Sequence, residues 1–481
     1  MRKRFLLLAI GFLSTTVNGQ IFLEHTGNSF SGASFSSLAF ADIDGDLDLD
    51  VLITGDTSNQ GQLATTLYRN NGIGFFTAMP MTPFDAVYRS SVAFADVDGD
   101  GDLDVLITGA TASQAPPIAK LYANDGSGVF TEMVGTPFQG VSSSAVVFAD
   151  IDNDNDLDVL ISGDISASWP SQPMTKLYTN DGSGVFTEAT NTPFDALKNA
   201  SIAFADIDGD ADADLLVSGN PPSISPATQA YTPKLYTNNG SGAFTEETNT
   251  PFQGIRDPAV AFADIDGDSD MDLVMAGSDS SYQPITKLYT NSGTGTFTEN
   301  TGSTFRAASS PSLAFANVNS DFYPDLLITG DSMNTSHTTL YMNDGSGGFT
   351  IKTGEPFIGV SHSSVGFADI DFDSDLDVLI VGDAAGQPVA KLYESTAYMG
   401  NFEHERHQSV RLFPNPVSKQ LTISQVSAYR SLALYSYQGV LMGKFKVEAD
   451  EFSMDVSQLP KGFYVISLSG DHPMNIPFLK E

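Results

Sequence analysis

The chain contains no cysteine. A disulfide framework, a thiolate zinc site and a cysteine nucleophile are therefore excluded. Basic residues are scarce: 22 Lys and Arg face 59 Asp and Glu, a formal net charge of −37. Such a surface repels phosphate backbones, which argues against nucleic acid as a partner, and it suits multivalent cations. Histidine (six) and tryptophan (one) are rare. Beyond the first 19 residues no apolar run approaches the roughly 18 residues of a membrane helix, so no span is expected in the mature chain. No nucleophile elbow, phosphate loop or His-Glu metal helix is present, so no catalytic residue is named and an enzyme is not the expected reading.

What is present is turn-rich and apolar. The 481 residues leave room for two or three domains, and 41% of them are hydrophobic. Abundant Gly (43), Pro (24) and Phe (33) suggest short strands and many turns. The charge divides sharply. Gln20 to Arg406 holds 12 basic and 53 acidic residues, a net of −41, whereas Arg411 to Glu481 holds 7 and 6, a net of +1. Two bodies of different character are expected, joined by an exposed linker at 394–410. Residues 1–19 read as a secretory signal: Arg2, Lys3 and Arg4, an apolar run from Phe5 to Leu13, and small Val17 and Gly19 before a cut at Gln20.

Self-comparison decides the first body. FADIDGDLDLDVLITG at 40–55 recurs, varied, at 94–109, 148–163, 204–219, 262–277, 315–330 and 367–382. The seven copies are spaced by 54, 54, 56, 58, 53 and 52 residues. Each holds four strand-like pieces; in the second copy these are Ser91–Ala95, Asp104–Thr108, Lys120–Asn124 and Val129–Glu132. Units of this kind predict an all-β chain: a seven-bladed β-propeller over 20–393. An open solenoid or parallel β-helix is the alternative. The ends favour closure. The seventh copy stops after its third piece, and Ile21-Phe22-Leu23-Glu24 matches the fourth piece Val185-Phe186-Thr187-Glu188. Residues 20–24 are therefore expected to complete the seventh blade.

Between the first and second strands, six copies carry Asp at positions 1, 3, 5, 7 and 9 of a nine-residue loop. Like charges two apart crowd one face of a strand. They converge well on a hard cation, and calcium takes six to eight oxygens. Side-chain ligands are expected at positions 1, 3, 5 and 9: Asp42, Asp44, Asp46 and Asp50; Asp96, Asp98, Asp100 and Asp104; Asp150, Asp152, Asp154 and Asp158; Asp206, Asp208, Asp210 and Asp214; Asp264, Asp266, Asp268 and Asp272; and Asp369, Asp371, Asp373 and Asp377. Position 7 is expected to offer its carbonyl while Asp48, Asp102 and their equivalents face solvent. About six Ca²⁺ sites follow. The sixth loop, with Asn317, Asn319, Asp321 and Asp325, is expected to bind weakly or not at all.

These copies resemble the FG-GAP/VCBS repeats of integrin α-subunit propellers and of many exported bacterial proteins. The resemblance implies calcium loops on one face and ligand-binding loops on the other. The tail, 411–481, is expected to be a small antiparallel β-sandwich. It is similar to the type A C-terminal sorting domain of the type IX secretion system, through Pro414-Asn415-Pro416, Leu434-Tyr435 with Gly439, Leu459-Pro460 and Gly462-Phe463-Tyr464-Val465. That resemblance implies engagement of the type IX export machinery, passage across the outer membrane, and a secreted or surface-attached product.

The expected function is a surface or secreted binding module of the adhesin kind, its ligand a glycan or a protein. A polysaccharide-active enzyme and a structural surface-layer component are the alternatives. Loops of unequal length at 56–66, 110–119, 164–175, 220–233, 278–286, 331–339 and 383–390 look like binding loops on a rigid frame. His337 and His362 are expected on neighbouring loops of that face, and Trp169 could stack on a sugar. Tyr122, Tyr178, Phe138 and Phe194 recur in every blade and read as core.

Overall fold

The structure, a computed structural model, describes residues 20–481 except 223–231, 320, 334, 397–410, 414–416, 425, 427–428, 437–440, 448, 450, 471–473 and 481. The signal at 1–19, most of the linker (Glu403 to His407 included), Pro414 to Pro416 and Gly439 lie outside the described residues. Every regular element among the described residues is a strand. None is a helix long and apolar enough to cross a membrane. The chain separates into two compact units, divided between Tyr398 and Met399.

The first unit is a seven-bladed β-propeller of four-stranded antiparallel sheets. In the second blade the strands run Tyr88–Ala95, Asp104–Ala110, Ile118–Asn124 and Phe130–Glu132. The first three strands extend the sequence reading by up to three residues, because pairing continues past the apolar stretch, and the fourth begins one residue later. The second strand is buried along its whole length. Its Val, Leu and Ile face the neighbouring sheets on both sides, which explains why it reads as a continuous apolar run rather than an alternation.

The ring closes through both ends of the propeller segment. Phe22–Glu24 pairs antiparallel with Gln387–Ser395, placing Phe22 opposite Ser395 and Glu24 opposite Tyr393. Glu188 stands opposite Tyr178 in the same way. Lys391 reaches Glu24 at 2.5 Å, as Lys176 reaches Glu188 at 2.8 Å. An apolar cluster then joins Val51 and Ile53 of the first blade to Leu379 and Val381 of the seventh. An open solenoid leaves those two faces apart. The seventh blade's third strand runs to Ser395, and Thr396 N–H donates to Ile21 O at 2.6 Å, so 394–396 belong to the blade rather than to the linker expected from 394.

Each blade repeats one aromatic lock. Phe138 meets Tyr178 edge-on at 5.0 Å, and Phe194 meets Tyr236 at 5.2 Å. In five blades the tyrosine hydroxyl accepts a backbone N–H from the interblade connector, as Tyr178 does from Gln139 at 3.3 Å, whereas Tyr236 donates to Pro193 O at 3.4 Å. Where the hydroxyl is bonded, the packing satisfies both the apolar body and the polar tip of the ring; the buried Tyr122 hydroxyl has no such partner. Tyr122, Tyr178, Phe138 and Phe194 are core, as read from the sequence.

The second unit is a sandwich. Arg411–Phe413, Gln420–Ser424 and Glu451–Asp455 form one sheet; Leu441–Lys446, Tyr429–Ser436, Gly462–Gly470 and Met474–Lys480 form the other. Leu421, Ile423 and Met454 of the first pack against Leu432, Leu434, Ile466 and Leu468 of the second.

Phe22 is fully buried, so Phe22→Ala should lower propeller stability by roughly 3–5 kcal/mol. Leu23→Ala, on the exposed side of the same strand, should change it by less than about 0.5 kcal/mol. Chemical denaturation of the two variants checks this, and equal effects would contradict strand closure.

Candidate functional site

The acidic loops turn sharply between first and second strands. In loop one, Asp42 accepts N–H bonds from Gly45 at 2.9 Å and Leu47 at 3.0 Å, and Asp46 accepts from Asp48 at 3.0 Å. Loops two, four and five repeat the pattern. Positions 4 and 6 take positive φ, for example Gly45 (72°) and Leu47 (73°). Asn153 and Phe372 adopt the same conformation where glycine is absent, so the loop geometry is imposed by the carboxylate bonds as much as by residue type.

The ninth-position carboxylate ties each loop to its blade. Asp104 is 1% exposed. It accepts N–H bonds from Val97 at 3.2 Å and from Asn124, at the end of the third strand, at 2.9 Å. The Asn124 side chain then donates to Ile43 O of the preceding blade at 2.8 Å. Asn70, Asn180, Asn238, Asn291 and Asn343 do the same, and Asn70 reaches Ile370, linking the first blade to the seventh. The sequence reading missed these asparagines. Their signal is the recurring Leu-Tyr-x-Asn, as in LYAN at 121–124.

Three carboxylates in each of the first five loops bring ligand atoms within 4.8 Å of one another: Asp42, Asp44 and Asp46; Asp96, Asp98 and Asp104; Asp150, Asp152 and Asp154; Asp206, Asp208 and Asp210; Asp264, Asp266 and Asp272. The third-position oxygens are the telling atoms. Asp152, Asp208, Asp266 and Asp371 each bury an Oδ1 that has no hydrogen-bond donor. A buried anionic oxygen without a partner is costly. A small hard cation satisfies it, so the donor set fits calcium.

The loops are not equivalent. In loop one the Arg69 guanidinium pairs with Asp44 and approaches Asp46 at 3.4 Å. Alanine, threonine or methionine stands there in blades two to six, and Glu394 in blade seven. In loop six the Asn319 amide donates to Asp321 at 2.8 Å, so the loop answers its own charge. Position 7 departs from expectation. Asp48, Asp102, Asp156, Asp212 and Asp270 are half-buried against hairpin glycines instead of facing solvent; a Cβ on Gly126 would meet Asp102 Oδ2 at 2.4 Å. Asp375 is buried.

Each first strand ends at an acidic loop, so its start lies on the opposite face. There a cavity of about 690 Å³ opens, walled by the starts of all seven first strands and by loops 112–115 and 166–171. His362 lines it, but from a strand, not a loop. His337 is also in a strand, is 3% exposed, and bonds Thr339 Oγ1 at 3.1 Å and Ala307 O at 3.3 Å. Burial, with Arg306 nearby, lowers it to about 4. It is a neutral structural residue, and the expected histidine pair of loops does not form. Trp169, 86% exposed, lines the cavity rim.

Burial raises the ninth-position acids of the metal-free protein to about 6 at Asp104, Asp158, Asp214, Asp272 and Asp325, about 7 at Asp50 and about 8 at Asp377, against the bonds from two backbone N–H groups each. The folded chain thus holds protons that the unfolded chain has released. Metal-free stability should therefore fall as pH rises from 5 to about 8. A bound cation favours the anions and should flatten that slope. Melting temperatures of metal-stripped and calcium-loaded protein across this range test it; a stripped profile that rises with pH contradicts it.

Family models match both units. The FG-GAP-like repeat matches residues 42–107, 165–217, 227–275, 265–328 and 317–380, and the FG-GAP repeat matches 88–128. The secretion system C-terminal sorting domain matches 411–475. No curated protein matches. Similar solved structures include PorZ, an essential surface component of the type IX secretion system of Porphyromonas gingivalis, at 11% identity and TM-score 0.42, covering 90% of this chain and 58% of that one. The chain thus spans less than two thirds of that structure's length. Also similar are the Aleuria aurantia lectin with α-methyl-L-fucoside (10% identity, TM-score 0.39, 70% and 97% covered) and an α-L-arabinofuranosidase from Fusarium graminearum (9%, 0.38, 79% and 97%). With its repeat matches spanning more than half of the residues, the chain belongs to the FG-GAP repeat family, and its type IX sorting domain marks it for export to the cell surface or beyond.

Proposed function

We propose that the protein is a non-enzymatic binding module, stiffened by calcium on one propeller face and engaging a glycan or protein ligand with the other, outside the outer membrane. The signal at 1–19 starts export, and the sorting domain, joined through the segment before residue 411, completes it. The observation that carries this reading is the division of labour between the faces. Orphaned carboxylate oxygens gather at one, and an open cavity under loops of unequal length lies at the other. Asp164, on the cavity wall, is held as an anion by fixed donors. Burial would raise Asp164, yet Ser166, Ser171 and Gln172 together hold it below the ordinary carboxyl range. That favours recognition over proton transfer.

Calcium titration of metal-stripped protein should show uptake by loops two to five and seven, weaker uptake by loop one and none by loop six. Asp152→Asn should lose one ion and Asp321→Asn none, while Arg69→Ala should strengthen loop one. At about 2 mM calcium and a dissociation constant near 10⁻⁴ M, each site adds roughly 1.8 kcal/mol. Chelation should therefore lower the melting temperature strongly, and magnesium should restore it poorly. No uptake, with melting indifferent to chelator, would overturn the calcium assignment.

Deleting 411–481 should leave a folded propeller trapped inside the outer membrane. Fractionation that finds the truncated chain still outside the cell would sink the sorting role.

A further inference from the structure

The seven first strands share a distortion that the repeats do not otherwise need. Each carries a register shift near its start, as between Ser34 and Ser37 or Ser361 and Ser364. At each shift one non-glycine residue takes a φ of 45° to 48°. All seven of these residues line the axial cavity. A bulge re-aims a side chain, and strain of this kind persists only where surrounding structure enforces it. Elsewhere the repeats keep both backbone and chemistry: the acids, the tyrosine lock, the asparagine. Here the backbone repeats but the side chains differ.

Those side chains sort into two arcs. On one, the His362 and Phe35 rings lie 4.3 Å apart and the Arg89 guanidinium stands 5.3 Å over Phe35. Arg89 also lies 5.6 Å over Tyr88, and among the described residues no carboxylate forms an ion pair with it. That is notable in a chain of net charge −37, where Lys120, Lys176, Lys234, Lys287 and Lys391 are all paired. On the other arc, Asp257 accepts from Asn199 at 2.6 Å and from Asn220 at 2.9 Å. Ser143 and Ser310 separate the arcs.

We propose that this axial cavity is a binding site for an acidic saccharide, a uronate-bearing glycan. The reading rests on the binding role proposed above and names its ligand class. The exposed Trp169 ring and the exposed part of Phe35 suit the apolar side of a sugar ring. The carboxylate–amide pair and the serine hydroxyls offer donors and acceptors for sugar hydroxyls. The unpaired, aromatic-held guanidinium selects a carboxylate, which it can take in bidentate fashion. A neutral sugar leaves that cation unanswered.

The test is calorimetric titration of the calcium-loaded protein with oligogalacturonate, oligomannuronate and hyaluronate fragments, each beside its carboxyl-reduced neutral counterpart. At least one acidic oligosaccharide should bind, its reduced form at least about tenfold more weakly. Arg89→Gln should abolish that preference while leaving residual binding, and Phe35→Ala should weaken both forms. Both positions are exposed, and unchanged melting temperatures confirm folding. Binding of neutral glycans or proteins unaffected by either variant overturns the acidic-saccharide site but leaves the binding module standing. Absence of binding to every saccharide tested overturns this inference. If a wider glycan and protein array is also silent, the proposed function falls with it.

Discussion

Everything in the propeller hangs on a buried aspartate at the head of each second strand. Seven of them, from Asp50 to Asp377, sit within a few per cent of full burial. Each accepts one N–H from its own loop and one from the end of its third strand. In six blades the latter residue is an asparagine whose amide then reaches the loop of the preceding blade. One carboxylate thus fixes loop shape, strand ends and blade-to-blade spacing together. A buried anion is tolerable only when so many donors, or a cation, answer it.

The same first strands connect the two faces. The acidic loops crown one end of the first strands, and the bulged, strained residues stand at the other end, seven residues away. Under the proposed calcium binding, a stiffened loop would hold its strand, and a held strand would keep its bulge residue aimed at the axis. Rigid scaffolds of this kind place variable chemistry accurately because little conformational entropy is lost on binding. The family's repeat supplies the frame, and in the proposed binding role the non-repeating positions would carry the specificity.

Departures from the repeat are as instructive as the repeat itself. Arg69 brings a guanidinium into the first loop, and Asn319 with Asp321 closes the sixth. Both answer the loop's carboxylates with an internal donor. Ser395 stands where other blades have asparagine, at the strand that the chain's own beginning completes. The seventh blade is thus assembled from both ends of the propeller segment, so the ring closes only when the whole propeller is made.

The sequence alone determined the blade count, the strand order and the closure by residues 20–24, because a fixed period and a split unit leave little freedom in how strands pair. It determined the acidic loops too, since alternating aspartates admit few roles. The sorting tail was legible from ordered blocks. What only the tertiary structure decided depends on residues distant in sequence meeting at one point. The asparagine bridges span 78 to 300 positions. The axial ring gathers Phe35, Arg89, Asp257 and His362 from four blades. No local pattern marks them, because at those positions the repeat conserves a backbone angle and leaves the side chain free. His337 was misplaced on a loop for the same reason: hairpin length, not residue type, set where the strand began.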